Sequence, residues 1–345
     1  SSGPYIVPNV KADCYAMYTN NPPSGAYRGF GVTQSAFAVE TMMDMLAEKL
    51  GIDPIELRRK NALRVGSVTN TGQVLKDSVG LLECIDKTEQ EILRLSDDNP
   101  YKSKAVPGEE YKKRAWGFAA AYKNTGLGGG APDHAGAIVE LFANGKFEVR
   151  TSSADLGQGL VTVLQLIVAE ELQLPVDQVQ VLLSDTDLTP DGGPTTASRQ
   201  TFVSGNAGRM AARAMKEAIS STLAEKYDVP PSELRFEDGF VKLDGRSIPM
   251  QEVYTAMKAD GKDPKVLYDY WAPETKPLGE DGDMHFGFSF ASQAAEVEVN
   301  TLTGEVRVLR VIAATDVGTA LNPLGLQGQV EGGVVMGIGN ALTEK

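Results

Sequence analysis

The sequence has few of the side chains that bind metals or form cross-links. Its 345 residues include two cysteines, Cys14 and Cys84, and two histidines, His134 and His285. No CxxC pair or Cys/His cluster occurs, so the sequence encodes neither a zinc site nor an iron–sulfur cluster. Because the chain has only two histidines, a multi-histidine metal site and a Ser–His–Asp triad are disfavoured. A metal used by this chain must therefore be held by something other than its side chains.

Positive charge and long apolar runs are scarce as well. The net charge of -13 would repel a phosphate backbone and disfavours nucleic-acid and anionic-membrane partners. No apolar run approaches the length of about eighteen residues that a membrane helix needs. Residues 1–10 lack the basic region and apolar core of a secretory signal. Two unpaired thiols predict a reducing, cytoplasmic location.

Helical and strand patterns alternate without a strict βαβ order, which predicts an α+β fold of mixed sheets with packed helices. In the helix predicted from residue 33, Thr33 is expected as N-cap and Gly51 as terminator. Asp53 is expected to cap the next helix, with Pro54 at its first position. The predicted helices cover 33–50, 53–63, 79–95, 160–172, 209–227 and 326–344. The predicted strands cover 135–142, 147–153, 179–185, 290–299 and 305–316, with a short pair around Asp238-Gly239 and a hairpin turn at Asn144-Gly145.

A polar, proline-containing stretch near residues 97–112 marks the best domain boundary. It gives two predicted domains, 1–104 and 105–345. The first residue is not methionine, and the last residues lie within a helical pattern. Both ends therefore lead us to expect an internal fragment of a larger subunit.

A glycine–glutamine–glycine turn, Gly157-Gln158-Gly159, stands at the entrance of the helix predicted over 160–172. A helix N-terminus offers unpaired N–H groups and a positive dipole end, and glycine lets a ligand approach the backbone. The alternative is a strand-to-helix turn that needs glycine only for its dihedral angles. On this stretch alone the second interpretation is favoured.

Two further stretches are candidates for ligand binding. The loop at 191–201 carries four hydroxyl side chains and Arg199, whose guanidinium matches a phosphate in a bidentate way. Its alternative is a solvated connection that caps the next helix, but long loops in compact domains are more often functional. In residues 24–34, Arg28 and Phe30 lie between glycines, which suggests a ring presented to a ligand. The alternative there is a core phenylalanine beside a surface arginine. A GxG stretch at 337–342 lacks the third small residue and follows a helix, so a nicotinamide-dependent dehydrogenase is disfavoured.

Taken together, these stretches resemble the molybdenum-binding subunit of the xanthine dehydrogenase and aldehyde oxidoreductase family, the molybdenum hydroxylases. The motifs A-Y-R-G-F-G, L-G-Q-G-x-x-T, T-T-A-S-R-Q-T, D-V-G-x-x-x-N-P and G-Q-V-E-G-G occur in the family's order across essentially the whole chain. The first hundred residues are most similar to the nicotinate dehydrogenase branch, in its large molybdopterin subunit. The resemblance implies the molybdenum-cofactor-binding fold of that family.

The resemblance also implies a cofactor and its contacts. The cofactor would be molybdopterin with molybdenum, in the cytosine dinucleotide form, with the metal held by the pterin's dithiolene sulfurs. Gln158 would hydrogen-bond the pterin, and Phe30 would also stack on an aromatic substrate. The implied cofactor contacts are Arg28, Gly29, Phe30, Gly31, Leu156, Gly157, Gln158, Thr162, Ala197, Ser198, Arg199, Gln200, Thr201 and Gln329.

Parts of the family pattern are absent from this sequence. The family's G-G-F-G stretch, an upstream arginine and the catalytic glutamate of a G-V-G-E stretch do not occur; the glutamate is expected beyond Lys345. The resemblance therefore implies partners: the remaining parts of the molybdenum subunit, an iron–sulfur subunit and an FAD subunit in an oligomeric complex.

The implied reaction is hydroxylation of an electron-poor carbon with water as oxygen source. An aromatic N-heterocycle such as a purine or nicotinate is the expected substrate, because Phe30 offers a flat ring. Tyr122, in the stretch 116–122, is expected at the opposite wall of the pocket, beside the small Ala120 and Ala121. Its alternative is a core residue at the end of a strand. The alternatives for the whole chain are an aldehyde oxidoreductase of the same family and a non-catalytic fragment or paralogue that binds no cofactor.

Overall fold

The structure is a computed structural model that describes residues 2–23, 25–96 and 99–344. Residues 97 and 98 of the predicted boundary lie outside the described residues. The helices are α1 (Val32–Leu50), α2 (Pro54–Asn61), α3 (Leu81–Arg94), α4 (Leu160–Leu172), α5 (Gly205–Tyr227), α6 (Met250–Ala259) and α7 (Pro323–Leu342). The strands are β1 (Lys104–Val106), β2 (Glu109–Thr125), β3 (His134–Leu141), β4 (Phe147–Thr151), β5 (Val179–Leu183), β6 (Arg235–Glu237), β7 (Phe240–Leu243), β8 (Arg246–Pro249), β9 (Lys265–Trp271), β10 (Gly287–Asn300) and β11 (Val306–Asp316).

The fold is α+β, as predicted, and the chain divides into two compact units. The first unit comprises residues 1–124, 276–320 and 326–345, and the second comprises residues 125–275 and 321–325. The division into domains 1–104 and 105–345 stays a prediction. Within the described ranges, no helix is long and apolar enough to cross a lipid bilayer.

The first unit packs helices against one sheet. Its four strands lie in the order β1-β2-β10-β11. Helix α3 buries Leu81, Ile85 and Ile92 in a core that also contains Trp116 and Phe118 of β2. The antiparallel pair β10–β11 confirms the strand pair predicted over 290–299 and 305–316.

The starts of the first two helices show one wrong prediction and one confirmed prediction. Thr33 does not cap α1: the helix begins at Val32 after Gly31, and the Thr33 hydroxyl bonds to the Gln34 side chain. Gly31 is left-handed at φ 95°, so a glycine turn starts this helix without a side-chain cap. Asp53 caps α2 as its type favours, accepting from Ile55 N–H at 2.9 Å.

The second unit is built on the sheet β5-β4-β3-β9. Asn144-Gly145 turns the chain between antiparallel β3 and β4, which confirms the predicted hairpin. Strands β4 and β5 are parallel and α4 lies between them in sequence, so the three elements form a βαβ unit. A separate antiparallel sheet, β6-β7-β8, contains the predicted pair around Asp238-Gly239.

Helix α5 begins earlier than the predicted residue 209. A π-helical turn, Gln200–Ser204, runs directly into α5 at Gly205. The predicted start at residue 209 left Gly205 and Gly208 outside the helix, yet these glycines serve close packing. A Cβ added at Gly205 would lie 2.9 Å from Ile167 of α4, and one at Gly208 would lie 3.5 Å from Leu164. Helix α6 and strand β9 were not predicted.

Candidate cofactor site

The Gln158 turn (residues 154–159) joins β4 to α4 and contains two left-handed glycines, Gly157 at φ 103° and Gly159 at φ 82°. The Gln158 side chain closes this turn on itself. Its Oε1 accepts from Leu156 N–H at 2.5 Å, and its Nε2 donates to the Ala154 carbonyl at 2.7 Å. The structure therefore contains the strand-to-helix turn that the sequence alone favoured, and the Gln158 amide stabilises it through two backbone hydrogen bonds.

Asp155 occupies the donors that the helix N-terminus was expected to offer to a ligand. Its carboxylate accepts from the N–H groups of Gly157 at 2.9 Å, Gly159 at 3.2 Å and Val161 at 3.1 Å. Burial opposes ionisation, but these backbone hydrogen bonds outweigh it and hold the pKa of Asp155 below its usual value. Sequence reasoning missed this residue, although an aspartate just before a glycine turn and a helix is a known capping signal.

The Arg199 loop (residues 191–201) contains an unfavourable stretch of backbone. Ala197 and Ser198 are consecutive non-glycine residues in the left-handed region, at φ 52° and 54°. Each such residue costs about 1–3 kcal/mol and persists where surrounding contacts enforce it, which is common at ligand sites. The Ala197 carbonyl accepts from Gly126 N–H at 2.9 Å, so a second glycine-containing loop holds this strained pair in place.

Arg199 supplies much of that enforcement. Its side chain is fully buried and pairs with Asp133, with 2.6 Å between Nε and Oδ1. The guanidinium also donates to the backbone carbonyls of Gly192, Pro194 and His134. With these acceptors in place the guanidinium fixes the loop from inside, so a cofactor contact from Arg199 would come from its backbone and not from a bidentate fork.

A chain of hydrogen bonds links the Gln158 turn to the Arg199 loop. Thr195 Oγ1 accepts from Ala154 N–H at 2.9 Å, and Gln200 Nε2 donates to the same oxygen at 3.3 Å. Ser204 completes the link by bonding both Gln200 Oε1 and the Ser153 hydroxyl. Two motifs about forty residues apart in sequence thus form one polar cluster in the second unit. Four predicted contact residues of the second unit are exposed: Leu156, Thr162, Ser198 and Thr201.

In the first unit, the Phe30 turn (residues 28–31) has three successive left-handed residues. Gly29, Phe30 and Gly31 lie at φ 95°, 41° and 95°, and the Phe30 side chain is 73% exposed. The core alternative for Phe30 is therefore wrong. A non-glycine residue with positive φ and an exposed aromatic ring is unusual, and it points to a functional position.

Arg28 anchors the Phe30 turn to helix α7. Its Nη2 donates to the carbonyl of Gln329 at 2.8 Å and to Oε1 of the same residue at 3.0 Å. Gly332 and Gly333 of α7 lie against the Arg28 guanidinium. A Cβ added at Gly332 would be 3.5 Å from Arg28 Nη1. The structure thus brings together two predicted cofactor residues that are 301 positions apart.

Tyr122 packs in the core and also lines a cavity, while its role at a substrate pocket stays a prediction. Its ring stacks on Phe288 with centroids 5.4 Å apart and packs against the core of the first unit. It also lines a cavity of about 220 Å³ together with Ala120 and Ala121. Burial raises the pKa of Tyr122 above its usual value, so the phenol keeps its proton.

Comparison with known proteins agrees with this architecture. Two family models, both described as a molybdopterin cofactor-binding domain, match residues 1–62 and 93–345. A probable xanthine dehydrogenase component from Bacillus subtilis is 30% identical over all of this chain and 45% of its own length. The gamma subunit of a 6-hydroxypseudooxynicotine dehydrogenase complex from Paenarthrobacter nicotinovorans is 30% identical over 99% of this chain and 43% of its own length.

Solved structures show the same relationship. Aldehyde oxidoreductase from Desulfovibrio gigas superposes with a TM-score of 0.74 at 30% identity, over 91% of this chain and 32% of its own. Quinoline 2-oxidoreductase from Pseudomonas putida also gives 0.74, at 27% identity, over 90% of this chain and 40% of its own. The chain thus spans less than half the length of these relatives. It belongs to the molybdopterin cofactor-binding family, as part of a molybdenum-binding subunit of the xanthine dehydrogenase type.

Gln158→Ala in the complete protein is expected to lower the molybdenum content clearly and the melting temperature only slightly. The amide orders a turn at the surface, so its loss costs the fold only about 1–2 kcal/mol, whereas a displaced turn misplaces cofactor contacts. Metal analysis and thermal unfolding of purified protein measure the two effects.

Gln165→Ala is the matched control. This glutamine lies on α4 and donates its amide to the Val179 carbonyl at 2.9 Å, outside the Gln158 turn. It should change molybdenum content little. Full molybdenum content in Gln158→Ala with a large drop in melting temperature would assign Gln158 a structural role only.

Proposed function

We propose that this chain supplies cofactor and substrate contacts to a molybdenum hydroxylase that oxidises an aromatic N-heterocycle, such as a purine or nicotinate, with water as oxygen source. The observation that carries the proposal is Phe30: an exposed ring on a strained backbone turn, fixed from behind by Arg28 and Gln329. The anchored turn presents the ring to solvent, where it can stack on a flat substrate.

The residues of the second unit fit a molybdopterin. A Cβ added at Gly157 or Gly159 would meet nothing within 4 Å, so a ligand can pack closely against the Gln158 turn at these glycines, whose N–H groups Asp155 already holds. The hydroxyls of Ser198 and Thr201 and the backbone of residues 197–201 provide uncharged donors for pterin and pyrophosphate oxygens. Among the described residues, no group of three His, Cys, Asp or Glu side chains could hold a metal ion. In this proposal the pterin sulfurs hold the molybdenum.

When bound, this group supplies the redox centre and an activated oxygen for the substrate carbon. The chain's own residues position the reactants. Gln158, Thr162 and the backbone at 197–201, all in the second unit, would hold the pterin. The cofactor contacts of Arg28, Gly29 and Gly31 remain predictions from the family resemblance. The general base, a glutamate in the family, would come from outside this sequence.

The names of relatives support an N-heterocyclic substrate. They include a nicotine 6-hydroxylase, a nicotinate hydroxylase and the quinoline oxidoreductase above. A second candidate, an aldehyde oxidoreductase, is favoured by an enzyme of that name from Megalodesulfovibrio gigas, which is 32% identical over 99% of this chain. The proposed partners are the rest of the molybdenum subunit, an iron–sulfur subunit and an FAD subunit. The cytosine dinucleotide form of the cofactor and a cytoplasmic location also remain predictions.

Phe30→Leu in the complete enzyme is expected to lower kcat/KM for nicotinate or a purine by roughly twofold to tenfold. The loss reflects about 0.5–1.5 kcal/mol of stacking, and aliphatic aldehydes should lose much less because they present no ring. Steady-state kinetics on a panel of heterocycles and aldehydes measures it.

Phe37→Leu serves as control, since Phe37 is a similarly exposed phenylalanine on α1 outside the turn. Better turnover of aliphatic aldehydes than of any heterocycle by wild type would favour the second candidate. Unchanged heterocycle kinetics in Phe30→Leu would refute stacking. Complete protein free of molybdenum and pterin would indicate a non-catalytic paralogue.

A further inference from the structure

The cavity beside Tyr122 has a charge arrangement that the proposed function leaves unexplained. It lies wholly within the first unit, between α1, β2 and the segment leading into β10. Two groups that can carry positive charge, Lys123 and His285, line it. Apolar cavities of about 150 Å³ hold a benzene molecule, so about 220 Å³ accommodates one aromatic ring with a small substituent.

Lys123 has no carboxylate partner among the described residues. Its Nζ donates to the carbonyl and to Oδ1 of Asn124, at 3.3 and 2.7 Å, and the side chain is half-buried. Burial lowers the pKa of Lys123 from its usual value, and the salt bridges of the described residues do not include it. A half-buried ammonium without a counter-ion is unfavourable, and an anion in the cavity would relieve that cost.

His285 is fixed in place but incompletely hydrogen-bonded. Gln73 holds its backbone on both sides: Oε1 accepts from His285 N–H at 3.0 Å, and Nε2 donates to the His285 carbonyl. The ring meets Phe288 edge-on at 5.6 Å, and Nδ1 is buried without a hydrogen-bond partner. Burial, and then the charge of Lys123, lower the pKa of His285.

Glu40, the acidic residue of the cavity wall, does not neutralise Lys123 or His285, because it is already paired. Glu40 is buried, and its oxygens accept from Tyr5 Oη at 2.6 Å, Arg58 Nε at 2.7 Å and Ala120 N–H at 2.9 Å. Arg58 therefore neutralises Glu40. The remaining wall offers flat rings, Tyr122 and Phe288, beside the small Ala121.

We infer that this cavity binds a small aromatic carboxylate, with its ring against Tyr122 and Phe288 and its carboxylate near Lys123 and His285. Phe30 does not line this cavity, so the inferred carboxylate site is distinct from the stacking contact of the proposed function. Binding itself does not depend on turnover.

Benzoate and its neutral analogue benzamide are the probes, because neither contains the electron-poor ring carbon of the expected substrates. Calorimetry on the complete holoenzyme should show benzoate binding roughly ten- to hundredfold more tightly than benzamide, the effect of a hydrogen bond to a charged group. Lys123→Met should abolish that preference, and Lys123→Arg should restore part of it. Lys113→Met, on the same strand but outside the cavity lining, should leave it unchanged.

Equal affinity for both probes, no benzoate binding, or an unchanged preference in Lys123→Met would overturn the inference. These outcomes are separable from the proposed function. Equal affinity for benzoate and benzamide in a protein that hydroxylates heterocycles would remove the inference and keep the hydroxylase. Tighter binding of benzoate than of benzamide in a protein that hydroxylates no heterocycle would keep the inference and remove the hydroxylase.

Discussion

Asp133→Ala is expected to destabilise the Arg199 loop by about 3–5 kcal/mol, because it leaves a buried guanidinium without its counter-ion. Arg199 is fully buried, and Asp133 is its only carboxylate partner among the described residues. Asp133 also accepts from Leu127 N–H at 2.9 Å, so the substitution frees a second loop. Hydrogen exchange in the complete protein should rise by roughly a hundredfold or more over residues 191–201.

Two comparisons make this prediction specific. Glu171 also forms arginine pairs in the second unit, but Arg209 and Arg213 are each 52% exposed, so Glu171→Ala should cost under about 1 kcal/mol. The double variant Asp133→Ala/Arg199→Met removes both buried charges and should recover part of the lost stability. Slow exchange over 191–201 in Asp133→Ala would contradict a bracing role for the pair.

The second large effect is expected from Glu40→Ala, which should cost the first unit about 3–5 kcal/mol. Arg58 is fully buried, and without Glu40 its remaining carboxylate partner is the 57% exposed Asp44, at 2.8 Å. The substitution also leaves Ala120 N–H without its acceptor and so loosens the cavity wall.

Hydrogen exchange over residues 116–122 measures this loss, and Glu48→Ala on the exposed side of α1 is the control. Glu40→Gln should be intermediate, because its amide oxygen can still accept one hydrogen bond while the charge is gone. Equal exchange in Glu40→Ala and wild type would show that Arg58 does not need this carboxylate.

The sequence predicted those elements whose local signals agree with their packing. Asn144-Gly145 needs a left-handed turn in any context, and Asp53 before proline caps α2 through its own side chain. Elements decided by distant contacts were missed. Gly205 and Gly208 are typical of a loop in sequence, but they let α5 approach α4. Their role depends on a neighbouring helix that no local pattern reveals.

The same division holds for the candidate site. The Phe30 turn and the Gln158 turn were identified from glycine spacing, because left-handed backbone favours that residue type. Asp133 and Glu40 were not, since the value of a buried carboxylate depends on which arginine the fold brings to it. Arg199 shows the limit most clearly: its sequence suggested a phosphate fork, and its burial makes it a brace.

The central claim is that this chain holds molybdopterin through the Gln158 turn and the Arg199 loop. Molybdenum and pterin analysis of the complete, natively expressed protein tests it most directly, with Gln158→Ala and Gln165→Ala prepared in parallel. We expect molybdenum and pterin in equal, near-stoichiometric amounts in wild type and Gln165→Ala, and a clear loss of both in Gln158→Ala. Wild-type protein that is folded but contains neither molybdenum nor pterin would contradict it.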